Sequence, residues 1–158
     1  DASAGNSSYE GMGSTATVLH VDEAAGMAYY AHVGDSRLYL LRRGVFRQVS
    51  RDHSYVEELV ARGELSEAEA QHHPRKNVLL RAVGIEERLH VDGDSFPLEV
   101  GDRLLLATDG LTNMVDDDVL AALLGGDFAN VAERMVEQAL AGGGSDNITA
   151  IALAYEMP

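Results

Sequence analysis

Three aspartates stand where strands end or turn. Asp35 lies in Gly34-Asp35-Ser36-Arg37, a tight corner between two strand-like runs. Asp109 follows the most hydrophobic run, in Ala107-Thr108-Asp109-Gly110. Asp146 follows three glycines, in Gly144-Ser145-Asp146-Asn147, just before the last run. A carboxylate beside a buried strand costs free energy unless it is paired, hydrogen-bonded or set on a cation. Gathered on one sheet rim, three of them would offer the hard oxygen ligands that octahedral Mg²⁺ or Mn²⁺ takes, with water in the remaining positions. Two such ions, about 3.5–4 Å apart, position a water, lower its pKa and clamp a phosphoryl group. The plainer alternative is that Gly-Asp and Asp-Gly form turns, each aspartate capping its own. Spacing does not decide between the two, because positions 35, 109 and 146 are far apart in the chain.

Other residues narrow the chemistry. His53, in Arg51-Asp52-His53-Ser54, stands at a strand-to-helix junction, where it can fix the following segment or touch a ligand. His72-His73 is a metal-like pair, yet beside Pro74 on a polar helix end it reads as a solvated tip. His20, His32 and His90 fall in strand-like runs and read as packed residues. Arg37 and Arg81 suit a structural ion pair first and a phosphate second. There is no Gly-x-Ser-x-Gly elbow and no Gly-x-x-x-x-Gly-Lys phosphate loop. The chain has no Cys, which removes thiolate nucleophiles, disulfides, iron–sulfur clusters and cysteine zinc sites and fits a reducing, cytoplasmic setting.

The elements that must position these residues follow from pattern. Residues 1–13 read as a loop. Thr- and Val-rich 14–21 reads as a strand, 27–34 and 36–44 as two more around the Gly34-Asp35 corner, and 45–49 as a short return, so the first fifty residues predict an antiparallel meander. Ser54/Glu57 and Ser66/Glu69 have capping-box spacing. With Gly63 between them and Pro74 beyond, they predict a helical hairpin over 54–73 with few core residues. Strands are expected at 88–91, 94–98 and 103–110. A helix over 116–124 opens on Asp116–Asp118, where carboxylates suit the helix dipole. Apolar residues at 128, 131, 132, 135, 136, 139 and 140 predict an amphipathic helix, with Asp127 as N-cap and Gly142–Gly144 as stop. Residues 147–155 predict a last strand. This order gives an α+β fold with mainly antiparallel sheet.

Composition bounds the partners. The 158 residues carry 26 acids and 12 bases, for a formal charge of −14. Residues 80–158 hold 15 of the acids and 4 of the bases. That balance argues against nucleic acid, whose binding rests on clustered Lys and Arg, and against an anionic membrane surface. No apolar run approaches the ~18 residues of a membrane span, and the first residues lack the basic and apolar regions of a signal peptide.

Taken in order, GMGST (11–15), AHVGDSRLYLL (31–41), SRDHS (50–54), VLLRAVG (78–84), GDRLLLATDGLTNMV (101–115) and GSDNITAIAL (144–153) resemble the successive motifs of the protein phosphatase 2C family, the metal-dependent PPM serine/threonine phosphatases, and above all its compact bacterial members. The resemblance spans about residues 11–155. It implies a four-layer αββα sandwich with two mainly antiparallel sheets, here incomplete at the N-terminal side. It also implies hydrolysis of phosphoserine and phosphothreonine in proteins by in-line attack of a metal-held water, with no phosphoenzyme. Two or three Mn²⁺ or Mg²⁺ ions would serve the complete domain. Asp109 and Asp146 match core metal ligands and Asp35 a further, weaker site. Residues 54–76 match the flap beside the active site, and His53, Arg81 and Asn113 are the flap or substrate candidates. Partners would be phosphorylated proteins, with a Ser/Thr kinase and its targets, and neither nucleic acid nor membrane.

Two departures stand out. The family's N-terminal third, with its phosphate-binding Arg and an Asp-Gly-x-Gly-Gly motif whose aspartate bridges the metals, has no counterpart here. The chain is therefore expected to be the C-terminal portion of a phosphatase domain, weak or inactive alone; the alternative is a non-catalytic binding or regulatory module. The bacterial motif also ends Asp-Gly-Leu-Thr-Asp, where this chain has Asn113, which keeps an oxygen and loses a charge.

Overall fold

A computed structural model describes residues 11–85 and 88–156. Of the loop expected over 1–13, residues 1–10 lie outside the described residues. The elements are β1 (Ala16–Asp22), β2 (Met27–Val33), β3 (Arg37–Arg42), β4 (Val45–Gln48), α1 (Tyr55–Ala61), α2 (Glu67–Gln71), β5 (Asp92–Pro97), β6 (Arg103–Ala107), α3 (Asp109–Thr112), α4 (Asp117–Gly125), α5 (Val131–Ala141) and β7 (Ala150–Ala154). They form two antiparallel sheets, ordered β1-β2-β5 and β4-β3-β6-β7. The expected α+β class with two antiparallel sheets is what the chain adopts.

The two central strands of the second sheet, β3 and β6, are buried on both faces, and their sequence explains it. Leu38, Leu40 and Leu104 point toward the first sheet and pack with Ala28 and Leu98. The alternate residues Tyr39, Leu41, Leu105 and Ala107 face the other way, against Leu111, Leu120, Leu124, Val131, Met135 and Ala139 of α3–α5. Period-2 alternation sends successive side chains to opposite faces, so a central strand must be apolar throughout. The layers are thus sheet, sheet, helices. The outer face of the first sheet shows Val18 59% and Tyr29 43% exposed, so among the described residues three of the four expected layers are formed.

Several expectations are corrected. The first fifty residues are not one meander: β2 and β3 do not pair, and Gly34-Asp35-Ser36 carries the chain from one sheet to the other. Residues 88–91 form no strand, and the one strand of this stretch, β5, pairs with β2. β6 stops at Ala107, and Asp109 opens the short helical turn α3. α5 begins at Val131 rather than Phe128. Asp127 Oδ1 accepts from the Ala129 amide instead, and Asn130 takes a left-handed φ of 54° at the N-cap. The last strand covers only 150–154.

In the 54–76 insert, Ser54 Oγ accepts from the Glu57 amide. The reciprocal bond is absent because the Glu57 carboxylate turns to Arg51. Ser66 and Glu69 make the full capping box, and α2 buries no residue. No helix among the described residues is long and apolar enough to cross a membrane.

Candidate functional site

The site is assembled at the carboxyl end of β6. The β6–β7 ladder ends with Ala107 opposite Ala150, yet the two segments stay stitched beyond it. The Thr108 amide donates to the Thr149 carbonyl at 3.1 Å, and the Thr149 amide donates to Thr108 Oγ1 at 2.9 Å. The Thr108 hydroxyl itself donates to the Asn147 carbonyl at 3.3 Å. Gly110 then presses on the backbone of Asp146 and Asn147, where a β-carbon would collide with the Asn147 carbonyl. Asp109 and Asp146 are neighbours through this backbone contact. Asp109 is half-buried and Asp146 exposed. Asp146 Oδ1 accepts from the next amide, of Asn147, at 2.7 Å. Asn113, one helical turn on, points its Nδ2 at Asp109 Oδ2 from 3.5 Å.

Asp35 reaches the same place by register. Arg37 pairs with Ala107 where the β3–β6 ladder ends, and Asp35 and Asp109 each lie two residues beyond that pair, at the same end of the sheet. The electrostatics agree. Burial, then the negative charges of Asp109 and Asp52, push the Asp35 carboxyl up to about 6. Crowded carboxylates held in partly desolvated surroundings lack positive charge, and an all-oxygen donor set suits Mg²⁺ or Mn²⁺. The donors present therefore fit such an ion, although among the described residues no three His, Cys, Asp or Glu side chains converge closely enough to hold one unaided.

His53 and Arg81 meet in a separate small cleft at the base of the 54–76 segment, lined by Arg51, Asp52, Ser54 and Asp92 as well. His53 Nε2 is 3.0 Å from Asp92 Oδ2, and Arg81 Nη1 is 2.9 Å from Asp92 Oδ1. The His53 hydrogen bond, helped by the Arg81 charge, holds Asp92 below the usual carboxylate range against the opposing effect of burial. Arg81 is thus in an ion pair, as is Arg37, whose Nε and Nη2 grip Asp52 at 2.8–3.1 Å. The structural reading of both arginines holds. Of the other histidines, His32 is buried, while His20, His72 and His90 are exposed and His73 is half-buried.

Sequence reasoning passes over Thr108 and Gly110, which bring Asp109 to Asp146, and over Thr15, Thr17 and Ser36, which hold the Asp35 corner. Ser36 Oγ lies 2.7 Å from Thr15 Oγ1, and Thr17 Oγ1 donates to the Ser36 carbonyl at 2.8 Å. The only trace of these in the sequence is a threonine content that serves β-propensity equally well.

Residues 2–59 match the family model described as protein phosphatase 2C. The chain is 43% identical over 143 residues to the serine/threonine phosphatase stp of Listeria monocytogenes, covering 89% of this chain and 56% of that protein. It thus spans little more than half the length of that relative. The serine/threonine phosphatase PstP/Ppp of Mycobacterium tuberculosis superposes with a TM-score of 0.91 at 34% identity, covering 99% of this chain and 66% of that one. A PstP catalytic domain in complex with two manganese ions superposes at 0.80 with 34% identity, covering 90% of this chain and 59% of that one.

Proposed function

The chain belongs to the protein phosphatase 2C family, and on that premise we propose that the protein containing it removes phosphate from phosphoserine and phosphothreonine in proteins. The observation that carries this is the nearness of Asp35 to the Asp109 charge at the shared end of the β3–β6 ladder, with Asp109 set against the Asp146 backbone through Gly110. Asp109 and Asp146 would be the core ligands of Mn²⁺ or Mg²⁺ and Asp35 the ligand of a further ion. The bound metals supply an activated water and a clamp on the phosphoryl oxygens. The chain's own residues do the positioning. Thr108 and Gly110 lock Asp109 against Asp146, and the Thr15, Thr17 and Ser36 contacts fix the turn that carries Asp35. Residues 54–76 form the flap, with His53 and Arg81 at its base and Asn113 on the rim. Partners are phosphorylated proteins, including a Ser/Thr kinase and its targets, in the cytoplasm.

The test is Mn²⁺-dependent phosphate release from a phosphothreonine peptide by the whole protein. Asp109→Asn and Asp146→Asn should each abolish it, and full activity in both overturns the proposal. A second reading, a phosphatase-like module that binds without turnover, is supported by the lack of a three-ligand cluster among the described residues and by Asn113. It predicts phosphopeptide binding to the whole protein with no release in Mn²⁺.

A further inference from the structure

We propose that His53 is a positioning residue for Asp35, aiming its carboxylate by holding both polar groups of the preceding glycine; this rests on the reading of Asp35 as a metal ligand. The His53 amide donates to the Gly34 carbonyl at 2.7 Å. The Gly34 amide donates back to His53 Nδ1 at 3.2 Å, in a buried setting. The Gly34 carbonyl belongs to the peptide that ends at Asp35, so this pair of bonds fixes the plane from which Asp35 departs. Gly34 has a φ of 109°, and Thr15 fills the space a β-carbon would take, so the corner is reserved for glycine and offers no side chain of its own to hold it. Thr17 secures the far end through the Ser36 carbonyl.

The imidazole is set for this task. Because the Gly34 N–H donates to Nδ1, that nitrogen carries no proton, and the ring proton is on Nε2, directed at Asp92 Oδ2 at 3.0 Å. Arg81 Nη1 is a donor only, so its 3.3 Å approach to Nε2 is that of a neighbour sharing Asp92 and not a bond to the ring. The His32 ring lies against His53 with centroids 4.8 Å apart and its Nε2 meets the Arg51 carbonyl at 3.1 Å. The His53 carbonyl accepts from the Leu80 amide at 2.8 Å. His53 therefore joins the base of the 54–76 segment to the turn that carries Asp35. Outer contacts of this kind typically change metal affinity by roughly 10–100-fold when removed.

Two substitutions divide the ring's roles. Asparagine puts an acceptor where Nδ1 stands, and glutamine reaches the Nε2 position but leaves the Gly34 amide without a partner. The readouts on the whole protein are hydrogen exchange of the Gly34 amide without metal and Mn²⁺ affinity by water-proton relaxation. His53→Gln should speed that exchange and weaken Mn²⁺ binding, each by about tenfold or more, while His53→Asn stays near wild type in both. Equal losses in the two variants, or none in His53→Gln, overturn the proposal. Long-range ¹H–¹⁵N spectra of the unaltered chain give an independent decision: a His53 ring protonated on Nδ1 also overturns it. Asp35→Asn separates the two levels. If it leaves Mn²⁺ affinity unchanged, the metal reading of Asp35 falls and this proposal with it. If it lowers affinity while His53→Gln does not, only the role of His53 falls.

Discussion

Gly110 and Asn147 meet backbone to backbone, so closely that the Asn147 carbonyl fills the place of a β-carbon at position 110. In an exposed helix, glycine to alanine gains about 1 kcal/mol. Here the gain is reversed, because the first turn of α3 must lift off the segment leading into β7. Gly110→Ala should lose about 1–3 kcal/mol in urea unfolding, the range for overpacking. Increased stability in that variant would show that the contact is not tight.

Burial and the neighbouring carboxylates push the Asp35 carboxyl up to about 6, against about 3.9 in the unfolded chain. A carboxyl with a raised folded-state value binds more protons folded than unfolded, so stability falls as pH rises through that window and the loss is complete above about 6. The upper bound is about 3 kcal/mol at 1.36 kcal/mol per pH unit, and partial exposure of Asp35 reduces it. Metal-free Asp35→Asn should therefore be more stable than wild type at pH 7.5 and no different near pH 3.5, in denaturant titrations at both values. A variant less stable at pH 7.5 would refute the burial of Asp35 beside the charges of Asp109 and Asp52.

Asp102 is 1% exposed and accepts from Arg42 Nε at 2.8 Å and Nη2 at 2.6 Å and from the Glu99 amide at 2.8 Å. Arg42 is 23% exposed on its side chain and can hydrate if released. Removing one partner of a buried pair costs about 3–5 kcal/mol. The cost should be unequal here: Arg42→Met strands a buried carboxylate and lies at the upper end, whereas Asp102→Ala leaves a half-wet guanidinium and lies at the lower end. Chemical unfolding of both variants checks the order.

The fold class was legible because strand and helix periods are clean in this sequence, as in the both-faces-apolar run of β3 and the helical stripe of α5. The division into two sheets was not. Gly34-Asp35-Ser36 has the same turn chemistry whether the next strand folds back beside β2 or crosses to face it, and only burial decides. Leu38-Tyr39-Leu40-Leu41 is buried throughout, which no edge of a one-sided meander requires; that signal was present and ambiguous. The start of α5 was misplaced because the apolar period runs back to Phe128 while Asn130 takes a left-handed backbone that period cannot register. For the site, each aspartate could be named from its turn. Their meeting depends on ladder register and on the Thr108 and Gly110 contacts across about 40 residues of chain, which no local pattern encodes.

Asn113 offers a test of how many charges the rim wants. Its Nδ2 faces Asp109 Oδ2, four residues back on the same turn, as a neutral donor beside a carboxylate. Asn113→Asp replaces that donor with a like charge, and such a pair costs about 0.2–0.5 kcal/mol on an exposed helix. The metal-free variant should be less stable by about that amount, with the difference shrinking at high salt as screening sets in. With a divalent cation the sign reverses, because an added carboxylate oxygen beside Asp109 strengthens a hard-cation site. Mn²⁺ titration should therefore show higher affinity in Asn113→Asp than in wild type, and Mn²⁺ should stabilise the variant more in thermal melts, by the mass-action increment of a tighter ligand. Equal Mn²⁺ affinity in the two proteins would mean that position 113 does not face the ion, and that Asp109 meets it from its other oxygen.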